Sequence, residues 1–128
     1  MATVSTAKQG SPIGSALFTV TETSTTATSV NLDTGATGGA GLLLVEIDNT
    51  ANSVASYLNL YDVAGGGTVT PGTTNEDFVF MAPASSRITY ACPEGAHYGA
   101  GLWAAIVSSP GAATGPSATV SAYILIDT

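Results

Sequence analysis

Apolar and polar residues alternate with a two-residue period in short runs along most of the chain, the pattern of half-buried β-strands. Eight such runs are predicted as strands: Ala16–Glu22, Ser29–Asp33, Gly41–Asn49, Ser56–Val63, Asp77–Met81, Arg87–Ala91, Leu102–Ser108 and Thr119–Asp127. Clusters of Gly, Pro, Ser, Asn and Asp separate them, most densely at Gly35–Gly41, Ala64–Thr74 and Pro110–Pro116. No window carries a 3.6-residue apolar stripe, and strong helix formers are scarce beside β-branched residues. Short strands at this spacing predict an all-β, antiparallel β-sandwich, jelly-roll-like in its count of about eight strands. Residues 1–14, with Gly10, Pro12 and Gly14 and no apolar alternation, are expected to form a flexible N-terminal arm. Residues 15–128 are then one sandwich domain.

The alternation also says which way side chains point. In a sandwich one side of each strand enters the core and the other meets water. Phe18 and Val20, Leu43, Val45 and Ile47, Leu58 and Leu60, Phe78 and Phe80, and Val120, Ala122, Ile124 and Ile126 are the expected inward set. The opposite sides should be polar, yet Leu42, Leu44, Tyr57, Tyr61, Val79, Met81, Trp103, Val107, Tyr123 and Leu125 fall there. A two-layer sandwich of this size cannot bury both sides of most strands, so burial against other subunits is the simpler account. Leu42, Leu44, Tyr57, Tyr61, Trp103 and Tyr123 are the expected interface residues. Sheet edges, with almost no Lys to blunt them, are expected to be shortened by glycine loops or paired with a neighbour.

Charge strengthens that expectation. Of 128 residues 45% are hydrophobic, and only 2 Lys or Arg stand against 9 Asp or Glu, a formal net charge of −7. Charged residues make up 9% of the chain, where roughly a quarter is usual. A lone chain of 12.6 kDa would expose about 6,200 Å², leaving little charge to keep it wetted. Lys8 and Arg87 cannot neutralise a phosphate backbone or an anionic bilayer, so no nucleic-acid or membrane partner is expected. Cys92 is the single cysteine, which excludes an intrachain disulfide and a cysteine metal cluster. The first residues lack the apolar stretch of a signal peptide, no apolar run reaches the roughly 18 residues of a membrane span, and folding in a cytoplasm is expected.

Candidate chemistry is sparse. His97, the single histidine, has no second His or Cys at ligand spacing, and a loop histidine beside Tyr98 is the plainer reading. No Gly-x-Ser-x-Gly elbow presents a nucleophile, so a Ser–His–Asp combination drawn from many serines carries no weight. Glu46 and Asp48 share one strand face and could serve glycoside chemistry or, with Asp62, bind calcium, but no calcium-loop pattern accompanies them. Thr73–Asp77 reads as a polar turn before the next strand, and the Gly-rich 35–41 stretch lacks the Lys and helix of a phosphate cradle. Trp103, Tyr57, Tyr61 and Tyr98 could stack on sugar rings, although protein interfaces favour the same residues. No catalytic residue, metal or cofactor is expected.

Tyr57-Leu58-Asn59-Leu60-Tyr61-Asp62, Met81-Ala82-Pro83-Ala84, Pro93-Glu94-Gly95 running to Gly99-Ala100-Gly101-Leu102, and the closing Val120–Ile126 run resemble small virion proteins of tailed bacteriophages. The resemblance covers roughly residues 41–127 and lies in element order and loop chemistry. It implies a non-enzymatic β-sandwich of the decoration or cement type, homotrimeric, seated on the capsid exterior against the major capsid protein. It implies no catalytic residues. A tail or fibre component, or a lectin-like adhesive module, fits the same pattern.

Overall fold

The computed structural model describes residues 2–7, 16–33 and 40–127. Nine strands run through the described residues: β1 (Ala2–Ala7), β2 (Ala16–Glu22), β3 (Val30–Asp33), β4 (Ala40–Asp48), β5 (Ser56–Tyr61), β6 (Phe78–Ala82), β7 (Arg87–Tyr98), β8 (Leu102–Val107) and β9 (Val120–Asp127). They form two sheets, β1-β2-β9-β4-β7 and β3-β8-β5-β6, in which every pairing is antiparallel.

The pairings are nested. β5 pairs with β6, β4 with β7, β3 with β8 and β2 with β9. The chain is therefore one long hairpin, and rolling it up sets β9 beside β4 and β8 beside β5. That is the jelly-roll order of two interlocked Greek keys, with β1 added outside β2.

Alternation builds the core as the sequence pattern predicts. Phe18, Val20, Val45, Ile47, Leu58, Leu60, Ala122, Ile124 and Ile126 are buried between the sheets, with Leu102, Ala104 and Ile106 of β8. Each such Leu, Ile or Val contributes roughly 1.5–3 kcal/mol through its removal from water. Two buried asparagines close one end of the sandwich. Asn49 donates to the carbonyls of Val54, Ala82 and Pro83, and Ser56 Oγ donates to its Oδ1. Asn52 donates to Ala118 O and accepts from Ala118 N and Ser117 Oγ. Three interstrand loops are thereby tied together through side chains that would be costly to bury unpaired.

Three sequence expectations change. Residues 2–7, assigned to an arm, form β1, paired with β2 from Ala2 opposite Glu22 to Ala7 opposite Leu17; the rest of the expected arm lies outside the described residues, as do residues 35–39 of the first glycine-rich loop. β7 runs on past Ala91 to Tyr98, through Pro93 and a Gly95 in the left-handed region at φ 75°. Most consequential is a bulge in β4. Its register against both β7 and β9 shifts between Leu42 and Leu44, which reverses the alternation N-terminal to that point. Leu42 is consequently fully buried in the core and Leu43 is not, the opposite of the sequence assignment. Leu42 is therefore withdrawn as an interface residue.

Candidate interaction face

The two sheets treat their outer faces differently. Outward from β3-β8-β5-β6 point Tyr57, Asn59, Tyr61, Trp103, Ala105 and Val107, and a second apolar cluster forms there from Tyr61, Ala105, Val107, Ala27 and Val69. Val69 belongs to the β5–β6 connection and Ala27 to the β2–β3 connection, so the chain roofs this sheet with its own loops. Ser29 Oγ donates to Val69 O at 2.7 Å, Gly111 N to Glu76 Oε1 at 3.2 Å, and Gly115 N to Thr25 O at 2.8 Å. Gly115 sits so tightly that an added Cβ would collide with the Ser24 carbonyl oxygen.

Polar side chains seat the roof. Asp62 accepts backbone N–H donors from Gly99, Ala100 and Gly101 at 2.9, 2.8 and 3.3 Å. Burial pushes its pKa up, but those three donors outweigh burial and hold the carboxyl below the ordinary range. Asn59 Nδ2 donates to Glu76 Oε1 at 3.2 Å. Burial raises the Tyr61 phenol above its usual value, with Glu76 adding to the rise and Asn59 opposing it. Tyr61 is fully buried within the chain, so it too is withdrawn as an interface residue. Tyr57 and Trp103 are half-buried against the same cluster, and Trp103 Nε1 donates to Ala64 O at 3.4 Å.

Among the described residues, no loop cluster forms over the other outer face. Cross-strand register arranges it in rows. Leu17, Leu125, Leu44 and Ala91 form one row across β2, β9, β4 and β7. Thr19, Tyr123, Glu46 and Thr89 form the next, and Thr21, Ser121, Asp48 and Arg87 the third. The face grades from leucine through hydroxyls to charge. None of these side chains is buried.

Arg87 neutralises much of the charge. It pairs with Glu46, reaches Asp48 at 3.5 Å and lies 5.4 Å from the centre of the Tyr123 ring. The Thr50 side-chain hydroxyl and backbone N–H, both donating to Asp48, hold that carboxyl below its ordinary value, and Arg87 adds to the effect. Glu46 and Asp48 do share one face, and their neighbour there is this arginine. Of the expected interface residues, the structure brings Leu44 and Tyr123 together on this face. Leu17 and Leu125 join them, and of the two only Leu125 was assigned outward from the sequence.

Candidate catalytic groups do not converge. His97 is exposed on β7 and Cys92 is half-buried on the same strand. Among the described residues no group of three His, Cys, Asp or Glu could hold a metal ion, and no helix is long and apolar enough to cross a membrane. Compared with known proteins, the chain matches no family model, no curated protein and no solved structure.

Proposed function

We propose that this chain is a non-enzymatic structural protein of a tailed-phage particle, decorating and stabilising the capsid exterior through the outer face of β2-β9-β4-β7. The observation that carries the reading is the contrast between the two sheets. Long loops of the chain cover one apolar outer face, while the described loops leave the leucine row of the other only partly buried. A face of leucine, tyrosine and hydroxyl side chains, with its one arginine already paired, packs against a neighbour without a charged counterpart and with little charge to desolvate. Both the jelly-roll order and the resemblance of residues 41–127 to decoration proteins support that role.

In this reading copies cluster as trimers on the shell and the neighbour is the major capsid protein. Net charge suits the outside of a shell, since an acidic protein is repelled by packaged DNA. Individually weak contacts add through effective concentration when many copies sit side by side. The test is binding of the purified protein to shells prepared without it. Saturable decoration that Leu44→Thr with Leu125→Thr abolishes is expected. Undecorated shells, or decoration indifferent to those changes, would overturn the reading.

A further inference from the structure

Edges of the two sheets are guarded unequally. β3 is four residues long and bulged between Asn31 and Asp33. β7 carries Arg87, Pro93 and the left-handed Gly95. Charges, prolines and bulges of this kind prevent strand addition. β1 and β6 have none of them, and β6, which closes β3-β8-β5-β6, is the more apolar of the two, reading Phe78-Val79-Phe80-Met81-Ala82 without interruption. Its outward side chains, Val79 and Met81, are 45% and 41% exposed.

Backbone direction is also set. Tyr90 of β7 reaches across the sandwich, packs its ring 5.2 Å from Phe80 and donates its hydroxyl to the Met81 carbonyl at 2.5 Å. That carbonyl therefore faces away from β5. In an antiparallel ladder residues two apart direct their N–H and C=O groups to the same side, so Val79 also presents both groups to the open edge.

We infer that β6 is a docking edge for β6 of a second copy, added antiparallel about a two-fold axis at Phe80, with the Tyr90 hydroxyl as its guard. In that register Val79 lies opposite Met81 of the second copy, and Met81 opposite its Val79. Both exposed apolar side chains are thereby covered, twice, on one face. The backbones exchange hydrogen bonds through the groups that already point outward. Charge permits the pairing: β6 itself carries none, and Asp77, the nearest acid, falls opposite Pro83 rather than another acid. Two sheets become one continuous sheet across the axis. Tyr90 must share or release the Met81 carbonyl for this to happen, so the edge is capped in the single chain and opens on pairing. An interface of five residues a side is of the small, transient class. This contact does not depend on the capsid reading, because β6 belongs to the other sheet and an edge rather than a face.

The test uses the full chain with Cys92→Ser. Mixing Val79→Cys with Met81→Cys protein under mild oxidation should give the mixed disulfide dimer at least several-fold faster than either alone, because those positions are directly opposed. In sedimentation at high protein concentration, with Leu17→Thr, Leu44→Thr and Leu125→Thr present to remove contacts through the leucine row, Met81→Lys should abolish the dimer and Tyr90→Phe should strengthen it several-fold. Equal cross-linking in mixed and single samples, or a dimer untouched by Met81→Lys, would overturn the inference. So would a wild-type chain that stays single at the highest concentration reached.

Discussion

The two outer faces of this sandwich begin from the same problem and solve it differently. Both carry apolar side chains where a two-layer fold would place polar ones. On β3-β8-β5-β6 the chain folds the β5–β6 connection back over the strands, and Tyr61, Ala105 and Val107 end up fully buried. On β2-β9-β4-β7 the leucine row and Tyr123 stay half-exposed. Apolar residues on both sides of a strand thus do not by themselves mark an interface. The better candidate is an apolar outer face that the described loops leave uncovered.

That comparison can be broken or sharpened by substitution. Tyr61→Ala should be the most damaging change, lowering chain stability by about 4 kcal/mol in denaturant unfolding, because it empties the centre of the roofed cluster. Gly115→Ala should follow at about 2 kcal/mol, since the new methyl group drives the Ser24 carbonyl away and lifts the roof. Asp62→Asn should act through pH. A carboxyl whose folded pKa is depressed contributes stability above its unfolded pKa, near about 3.9, and loses it as pH falls through the lower folded value. The variant should therefore be weaker at neutral pH and show a flatter loss of stability as pH falls below about 4, read from midpoints of unfolding. Leu125→Thr should shift the stability of the single chain least, by under about 1 kcal/mol, because Leu125 is only partly buried and belongs to neither apolar cluster. A cost for Leu125→Thr matching that of Tyr61→Ala would erase the distinction between the faces.

Much of the fold was legible from alternation alone. The strand from Ala16 to Glu22 and the start of β7 at Arg87 fall where the pattern puts them, and the count suggested a jelly roll. β1 was not legible, because an edge strand of Ala, Thr, Val and Ser needs little apolar alternation and reads as a polar tail. Nor was the course of β7 past Ala91, since Pro93 and Gly95 signal a loop locally and pairing with β4 resumes only at Ala96. The partly exposed apolar face was legible only in part. Leu44 and Tyr123 follow simple alternation from the C-terminal half of β4 and from β9. Leu42 was misplaced by a bulge, which strand periodicity does not announce. Tyr61 points outward as expected, but its cover comes from Val69 and Ala27, far enough along the chain that no local pattern connects them. Gly, Pro and Thr in residues 64–74 look like any solvent loop until their packing is seen.

The central claim is that the leucine row of β2-β9-β4-β7 is covered by other subunits. The most direct test is the mass of the protein in solution, by sedimentation equilibrium in a Met81→Lys background that removes the edge contact. The account predicts an assembly several times heavier than the 12.6 kDa chain, reduced to single, fully folded chains by Leu17→Thr, Leu44→Thr and Leu125→Thr together. A chain that sediments alone, or an assembly that survives all three changes, would contradict it.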